Sequence, residues 1–182
     1  MKNELPWVTI ARELVGTAEK AGKDNNPKII EMWRTAFSAT GQTEQLKNAV
    51  WHTENTSWCG GFVGHVLAKA GIAQHIPKTF AMARSWLKAG TKLDKPAYGS
   101  IVVFWRGSPK GASGHVGIVV GKDRHGNLMV LGGNQGDSVN IKPFSKNRVL
   151  GYRWCGTQAL PAEHRYELPL LQSNGQVSTN EA

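Results

Sequence analysis

The sequence predicts an α+β domain in which N-terminal helices pack on a C-terminal antiparallel β-sheet. In the first half of the chain, apolar residues recur at spacings of three and four, which is the pattern of helices with one buried face. From Gly99 onward, short β-branched and aromatic runs alternate with Gly, Asn, Asp, Pro and Ser, which is the pattern of strands and turns. Helices followed by strands are the order of elements in an α+β domain.

Three helices and a shorter one are predicted before the strands. The first covers residues 6–15, and the second begins at Pro27, directly after an asparagine that can cap it. The third begins near Cys59 and ends at Gly71, since glycine favours the left-handed conformation that terminates helices. The shorter helix is expected over residues 81–89.

The second half of the chain is predicted to form a meandering antiparallel sheet, because turn-forming residues separate successive apolar runs. A turn within residues 123–127 joins the second and third of these runs. The predicted strands cover residues 101–105, 115–121, 128–131, 139–141 and 149–154.

Length and composition indicate one domain with a substantial core. The chain has 182 residues, of which 40% are hydrophobic and seven are tryptophan. We assign residues 1–160 to this single domain. Residues 161–182 show little periodicity and are expected to form a loosely ordered tail.

The charge favours an anionic partner. Lys and Arg outnumber Asp and Glu by 22 to 13, for a formal net charge of +9, which suits nucleic acid, acidic lipid or bacterial wall polymer. The sequence has no long basic arm and no zinc-finger or RNA-binding signature, so nucleic acid is not expected as the partner. No stretch approaches the roughly 18 apolar residues of a membrane span, so no membrane is expected either.

The N-terminal residues lack the continuous apolar region of a signal peptide, and synthesis as a soluble cytoplasmic chain is therefore expected. In that compartment Cys59 and Cys155 stay reduced, and Cys155 is expected to be structural. Cys59 and His65 could be imagined as metal ligands, but no CxxC or HxxxH set completes a tetrahedral site. Neither a metal nor another cofactor is predicted.

The stretch TSWCGGFVGHVLAKAG, residues 56–71, places Cys59 in the first turn of the third helix. The helix dipole and the unpaired backbone amides there favour a thiolate. Gly60 and Gly61 each weaken the helix by about 1 kcal/mol relative to alanine, which indicates that a substrate or another backbone comes close. Cys59 is therefore a candidate nucleophile, and the alternative is a small buried core residue.

A nucleophilic thiol needs a base, and the best candidate is His115 at the start of the predicted strand GHVGIVVG. A turn within residues 123–127 makes the numbers of paired residues add up to about 249–251, so His115 lies opposite residues 134–136. The polar residues there are Asn134 and Gln135. An amide from Asn134 could hold the imidazole ring, and Gln135 is the alternative.

This order of cysteine, histidine and a polar residue one strand later resembles the papain-like CHAP and NlpC-type cell-wall peptidases. The similarity extends over about residues 5–154 and is closest to the phage-associated branch of that group. In CHAP proteins the third catalytic member is often a glutamate, which LGGNQG does not contain. The segments that carry the resemblance are PWVTIAREL, NNPKIIEMW, SWCGGFV, ARSWL, GHVGIVVG, VLGGNQGDSVNI and VLGYR.

The resemblance implies a papain-like fold and a cysteine-dependent amidase or endopeptidase that cleaves an amide bond in the stem peptide of bacterial peptidoglycan, without a metal. In that interpretation Cys59 is the nucleophile, His115 the base and Asn134 the third member. Flat aromatic faces suit sugars and stem peptides, so tryptophans near the site are candidate contacts. The candidate substrate-binding residues are Trp58, Ser85, Trp86 and Gln135.

Two biological settings are open for such an enzyme: a phage-type lysin and an antibacterial effector toxin. In either case it acts as a monomer on the cell wall, in the periplasm, after release or delivery from the cytoplasm. A toxin would be matched by a small immunity or inhibitor protein. The main alternative function is a catalytically inactive module on the same fold that binds the cell wall or a protein.

Overall fold

The computed structural model describes residues 4–22 and 24–179 and has the predicted α+β architecture. In these ranges, α-helices precede a six-stranded antiparallel sheet, and short 3₁₀ helices lie before, within and after it along the chain. The α-helices are α1 (Pro6–Glu13), α2 (Pro27–Ala39) and α3 (Cys59–Lys69). The strands are β1 (Thr91–Leu93), β2 (Ile101–Trp105), β3 (Gly114–Lys122), β4 (Leu128–Gly132), β5 (Asn140–Phe144) and β6 (Val149–Trp154).

The three α-helices begin where the sequence predicts. Asn26 caps α2, because its side chain accepts a hydrogen bond from the Lys28 N–H at 3.0 Å. The predicted shorter helix is a 3₁₀ helix, Ala83–Lys88. In the described part of the chain, none of the helices is both long enough and apolar enough to cross a bilayer.

The order of strands in the sheet is β1-β6-β2-β3-β4-β5. Strands β2 to β5 form the predicted meander, but the prediction is wrong for β6, which returns to pair with the free side of β2. Strand β2 is apolar and buried over Ile101–Phe104, so a partner on each side satisfies its backbone and covers it. The short β1, which the sequence analysis missed, pairs with β6 at the edge.

The sheet has a core on each face. The larger hydrophobic cluster lies between the helices and the sheet and includes the apolar face of α3 together with Val116 and Ile118 of β3. A smaller cluster lies on the opposite face, where Leu168 packs against it. Its members are Val102, Phe104, Val119, Leu128, Val130 and Phe144.

Residues 161–179, predicted as a loosely ordered tail, form main-chain hydrogen bonds with the sheet. The Leu171 N–H donates to the Lys122 carbonyl at 2.8 Å, and the Ser178 N–H donates to a carbonyl of β5 at 2.8 Å. Main-chain bonds of this kind leave no hydrophobic pattern, so sequence periodicity does not reveal them. The first three and last three residues, which the predicted domain and tail include, lie outside the described residues.

Candidate active site

Cys59 is the first residue of α3, as predicted, and its side chain is buried. Trp58 precedes it as the N-cap residue, and the Trp58 carbonyl accepts the Phe62 N–H at 2.9 Å. Only 2% of Cys59 is exposed, and it belongs to the helix-side hydrophobic cluster. The thiol therefore lies where α3 meets the sheet.

Burial raises the pKa of the Cys59 thiol above its ordinary value. Four groups that stabilise a thiolate oppose this rise: the Val116 N–H, the Ser57 hydroxyl, the Gly60 N–H and the charge of Arg106. The expected effect of the helix start is present, but burial outweighs it. The resting sulfur is a protonated thiol at neutral pH, so its attack on a substrate requires a base.

The two glycines after Cys59 allow α3 to pack closely against its neighbours. A Cβ atom on Gly60 would lie 2.0 Å from the carbonyl oxygen of Phe80, and one on Gly61 would lie 3.0 Å from the Trp33 ring. The glycine pair predicted that a substrate or another backbone comes close to the start of α3. In the structure, other parts of the same chain, Phe80 and Trp33, occupy that space.

His115 lies near the start of β3 and is fully buried. Its ring is parallel to that of Phe144, with 5.3 Å between centroids and 4° between planes, and Phe104 stacks at 6.5 Å. The Nε2 atom lies 3.0 Å from Oε1 of Gln135. Aromatic neighbours and an amide together fix the orientation of this imidazole.

Val116 connects Cys59 and His115 in space. Its N–H hydrogen-bonds to the Cys59 sulfur, and it follows His115 directly in the chain. Successive side chains of a strand point to opposite faces, so Val116 packs towards the helices and His115 packs with the aromatic residues of the smaller cluster. The thiol and the imidazole thus flank the beginning of β3. Since Gln135 engages Nε2, any proton exchange with Cys59 must use Nδ1.

Of the two predicted amides, the structure brings that of Gln135 to His115. The predicted register is confirmed, since Ile118 pairs with Leu131, whose numbers add up to 249. Continued further, this register puts residue 134 opposite His115, but β4 ends at residue 132 and Asn134 has a left-handed φ of 58°. The chain has therefore left the sheet, and the next side chain returns to the imidazole.

Asn134 lies on the Cys59 side of the site. Its Nδ2 donates to the Ser57 hydroxyl oxygen at 3.3 Å, and the Ser57 hydroxyl hydrogen-bonds to the Cys59 sulfur. An amide, a hydroxyl and the thiol thus form one chain of polar contacts. The role of Asn134 as third catalytic member stays a prediction.

Trp58 and Trp86, which were predicted as substrate contacts, lie in the hydrophobic core. Both are fully buried: the Trp58 indole N–H donates to Glu19 at 2.8 Å, and that of Trp86 donates to a backbone carbonyl at 2.9 Å. Neither ring offers a face to a sugar. Ser85 is half-buried and shares a 2.7 Å hydrogen bond with a threonine hydroxyl, whereas Gln135 is buried beside His115.

Two residues that support the site were missed in the sequence. The Arg84 guanidinium donates to three carbonyls of the loop before β3, at 2.8–2.9 Å, and so holds the segment that leads to His115. The Asn140 side chain accepts a hydrogen bond from Gln135 at 2.9 Å. Polar contacts to loops follow no periodicity, and nothing in the spacing of ARSWL or VNI indicated them.

Metal-binding groups do not gather in the described ranges, where no cluster of three or more His, Cys, Asp or Glu side chains could hold an ion. His65, which was considered as a ligand together with Cys59, is buried within α3. Burial lowers the pKa of His65, so this ring is neutral at physiological pH.

These features define a class of protein. A cysteine at the start of a helix, packed on an antiparallel sheet that presents a histidine held by an amide, is the arrangement of papain-like hydrolases. Residues 51–134 match the family model of the CHAP domain. This range contains α3 and β2 to β4, with both Cys59 and His115. The match covers 84 of the 182 residues and supports a relation to the CHAP family of papain-like peptidoglycan hydrolases.

The family match indicates the function at a coarse level. CHAP domains have amidase- or peptidase-type activity, and their substrate class is peptidoglycan. A comparison of the chain with curated proteins finds no match.

Proposed function

We propose that this protein is a cysteine-dependent hydrolase that cleaves an amide bond in the stem peptide of bacterial peptidoglycan. The hydrogen bond between His115 Nε2 and Gln135 Oε1 carries the proposal. It orients a buried imidazole next to Val116, the residue whose N–H contacts the Cys59 sulfur. Nucleophilic catalysis by cysteine requires a base in a fixed orientation that can reach the thiol, and we propose that His115 Nδ1 reaches Cys59 at the beginning of β3.

The proposed reaction proceeds through a thioester. The Cys59 sulfur adds to the amide carbonyl carbon while its proton moves to His115 Nδ1. The imidazolium then donates this proton to the amine nitrogen as the carbon–nitrogen bond breaks. Water attacks the thioester, His115 accepts the water's proton, and the sulfur leaves and is reprotonated. Each cycle consumes one water molecule and restores the thiol.

The start of α3 supports the negative charge that forms on the carbonyl oxygen. The first backbone N–H groups of a helix have no partner within the helix, and that of Cys59 is the first of α3. Such groups stabilise an oxyanion when they point to the place where it forms. Arg106 contributes a positive charge near the same sulfur.

The net charge of +9 suits a wall polymer that carries carboxylates and often phosphates. We propose that the enzyme acts as a monomer on the wall, in the periplasm, after release or delivery from the cytoplasm. The resemblance to the phage-associated branch favours a lysin. An antibacterial effector is the second setting, and it would require an immunity protein in the producing cell.

Substitution of the proposed nucleophile tests the function. Cys59→Ala should lower the release of fragments from purified sacculi by at least about 10³-fold, since no group remains to form the thioester. Sedimentation of the variant with sacculi should not change. Mass spectrometry of fragments from defined muropeptides measures the loss and also identifies the cleaved bond.

Cys155→Ala is the matched control, because Cys155 is the second free cysteine and burial raises its pKa to about 12. This variant should retain activity. Equal fragment release by the wild type and Cys59→Ala would exclude the cysteine mechanism. Sedimentation with sacculi without fragment release, in the wild type as well, would establish the inactive binding module.

A further inference from the structure

The amide of Gln135 is fixed by acceptors that surround its nitrogen. Nε2 donates to Oδ1 of Asn140 at 2.9 Å, to the Asn140 backbone carbonyl at 3.0 Å and to the Val130 carbonyl at 3.3 Å. The side chain is fully buried, so water does not compete for these bonds. With the nitrogen among three acceptors, the oxygen is the end of the amide that faces His115.

Asn140 holds Gln135 at two points. Besides accepting from the Gln135 side chain, Asn140 donates from Nδ2 to the Gln135 backbone carbonyl at 2.7 Å and to the Ser138 hydroxyl at 2.8 Å. Asn140 begins β5 and pairs with Gly132 of β4, so it is anchored in the sheet. Gln135 lies in the loop between these strands and depends on such anchoring.

This arrangement selects one tautomer of His115. An amide oxygen only accepts hydrogen bonds, so Nε2 of the neutral ring carries the hydrogen and Nδ1 has the lone pair. A reversed Gln135 amide would present its NH₂ group to Nε2 and favour the opposite tautomer. That tautomer has no lone pair on Nδ1 and cannot accept a proton there.

We propose that Asn140 is a positioning residue, which holds the Gln135 amide so that His115 carries its hydrogen on Nε2 and its lone pair on Nδ1, the atom that acts as the base. The catalytic consequence rests on the proposed function. The choice of tautomer rests on the hydrogen bonds alone and can be tested without substrate.

The first test measures the tautomer by NMR on protein with ¹⁵N-labelled histidine, at a pH where the rings are neutral. His115→Gln identifies the His115 signals by their loss. The wild type should show hydrogen on Nε2, and Asn140→Ala should raise the population with hydrogen on Nδ1. Asn140→Asp, which keeps the acceptor for Gln135 Nε2 but loses the donor, should give a smaller change.

The second test is a double-mutant cycle on the hydrolysis rate. Asn140→Ala should lower kcat by about tenfold, because small errors in the position of a catalytic group reduce rates by one to two powers of ten. In the Gln135→Ala background, Asn140→Ala should lower kcat less than about twofold. When one residue acts through another, the effects of their substitutions do not add. Asn147→Ala, at an exposed asparagine, is the control.

The outcomes separate this inference from the proposed function. An unchanged tautomer in both Asn140 variants, or an equal loss of kcat in both backgrounds, would overturn the role of Asn140. A wild type without hydrolytic activity would remove the proposed function, while the NMR result would still decide whether Asn140 sets the tautomer.

Discussion

At the scale of single residues, the site depends on an amide that comes from a loop and on a glycine that leaves room for it. A Cβ atom on Gly132 would lie 2.4 Å from Gln135 Oε1 and 3.2 Å from His115 Nε2. Any larger residue at that position would therefore push the amide off the imidazole. The hydrogen bond between Gln135 and His115 therefore depends on the glycine at the end of β4 as well as on the loop that contains Gln135.

The two amides after β4 are expected to differ in their effect on catalysis. Gln135→Ala should lower kcat by about 10–100-fold, because it frees the imidazole to rotate and to change tautomer. Asn134→Gly should lower kcat less than about threefold, since glycine accepts the left-handed backbone and the Asn134 amide bonds to Ser57, not to the imidazole ring of His115. Steady-state kinetics on a defined muropeptide measure both effects.

The reverse ranking would restore the hypothesis made from the sequence, in which Asn134 holds the ring. Circular dichroism of both variants controls for loss of fold. A fall in kcat with unchanged secondary structure assigns the effect to the site.

The sequence was sufficient to place Cys59 and His115, because each begins a regular element whose start is marked by local residues. It could not decide between Asn134 and Gln135. Strand pairing predicts which residues lie opposite each other only while the strands continue, and β4 stops at Gly132. Beyond that point the outcome depends on the hydrogen bonds from Asn140, which have no counterpart in periodicity.

At the scale of elements, the position of α3 is set by contact with the segment before the sheet. Gly60 packs on the backbone of Phe80, and Gly61 packs on Trp33 of α2. This contact fixes the helix start, and with it the sulfur, relative to β3. The helix is therefore located by shape as well as by its apolar side chains.

Gly60→Ala should destabilise the protein by about 1–3 kcal/mol, because the added methyl group has no space and α3 must shift. Gly111→Ala is the control, since its nearest neighbour would be 3.4 Å away, and it should change stability by less than about 0.5 kcal/mol. Urea denaturation measures both. Equal stabilities of the two variants would show that α3 is not held by this contact.

The elements themselves were predictable where they are long and periodic, as in α2 and β3. The pairing of β6 with β2 was not predictable. Strand β2 is apolar on both faces, so its pattern does not indicate which strand pairs with its second edge. Strand β1 has only three residues, too few for an alternation to be seen. Its pairing with β6 depends on contacts between distant parts of the chain and not on a local sequence pattern.

At the scale of the whole molecule, the C-terminal segment is fastened to the hairpin between β3 and β4 by Asp123. The Asp123 carboxylate accepts hydrogen bonds from the Ser173 hydroxyl at 2.8 Å and the Asn127 side chain at 2.9 Å. Burial alone would raise the pKa of Asp123, but its hydrogen bonds lower it to about 2. This carboxylate stabilises the folded state wherever it is ionised.

Asp123→Ala should reduce the free energy of unfolding by about 1–3 kcal/mol at neutral pH, the range for hydrogen bonds to a charged group. Because the folded pKa lies below the ordinary value of 3.8, the contribution is complete above that pH and is lost as the pH falls towards 2. Urea denaturation from pH 7 to pH 2 should show the difference from the wild type shrinking over that interval.

Asp94→Ala, at an exposed carboxylate, is the control and should show little effect at any pH. A constant difference between Asp123→Ala and the wild type over the whole range would mean that the charge on Asp123 does not hold the segment. The sequence could not predict this fastening, because Asp123 and Ser173 are 50 residues apart and neither belongs to a periodic pattern.

The burial of Gln135 has a consequence for how such a protein can change over time. Its bond to the imidazole lies in dry surroundings, out of reach of ions and of the polymer outside. Surface lysines and arginines can therefore be gained or lost without a change in the groups that we propose break the amide bond.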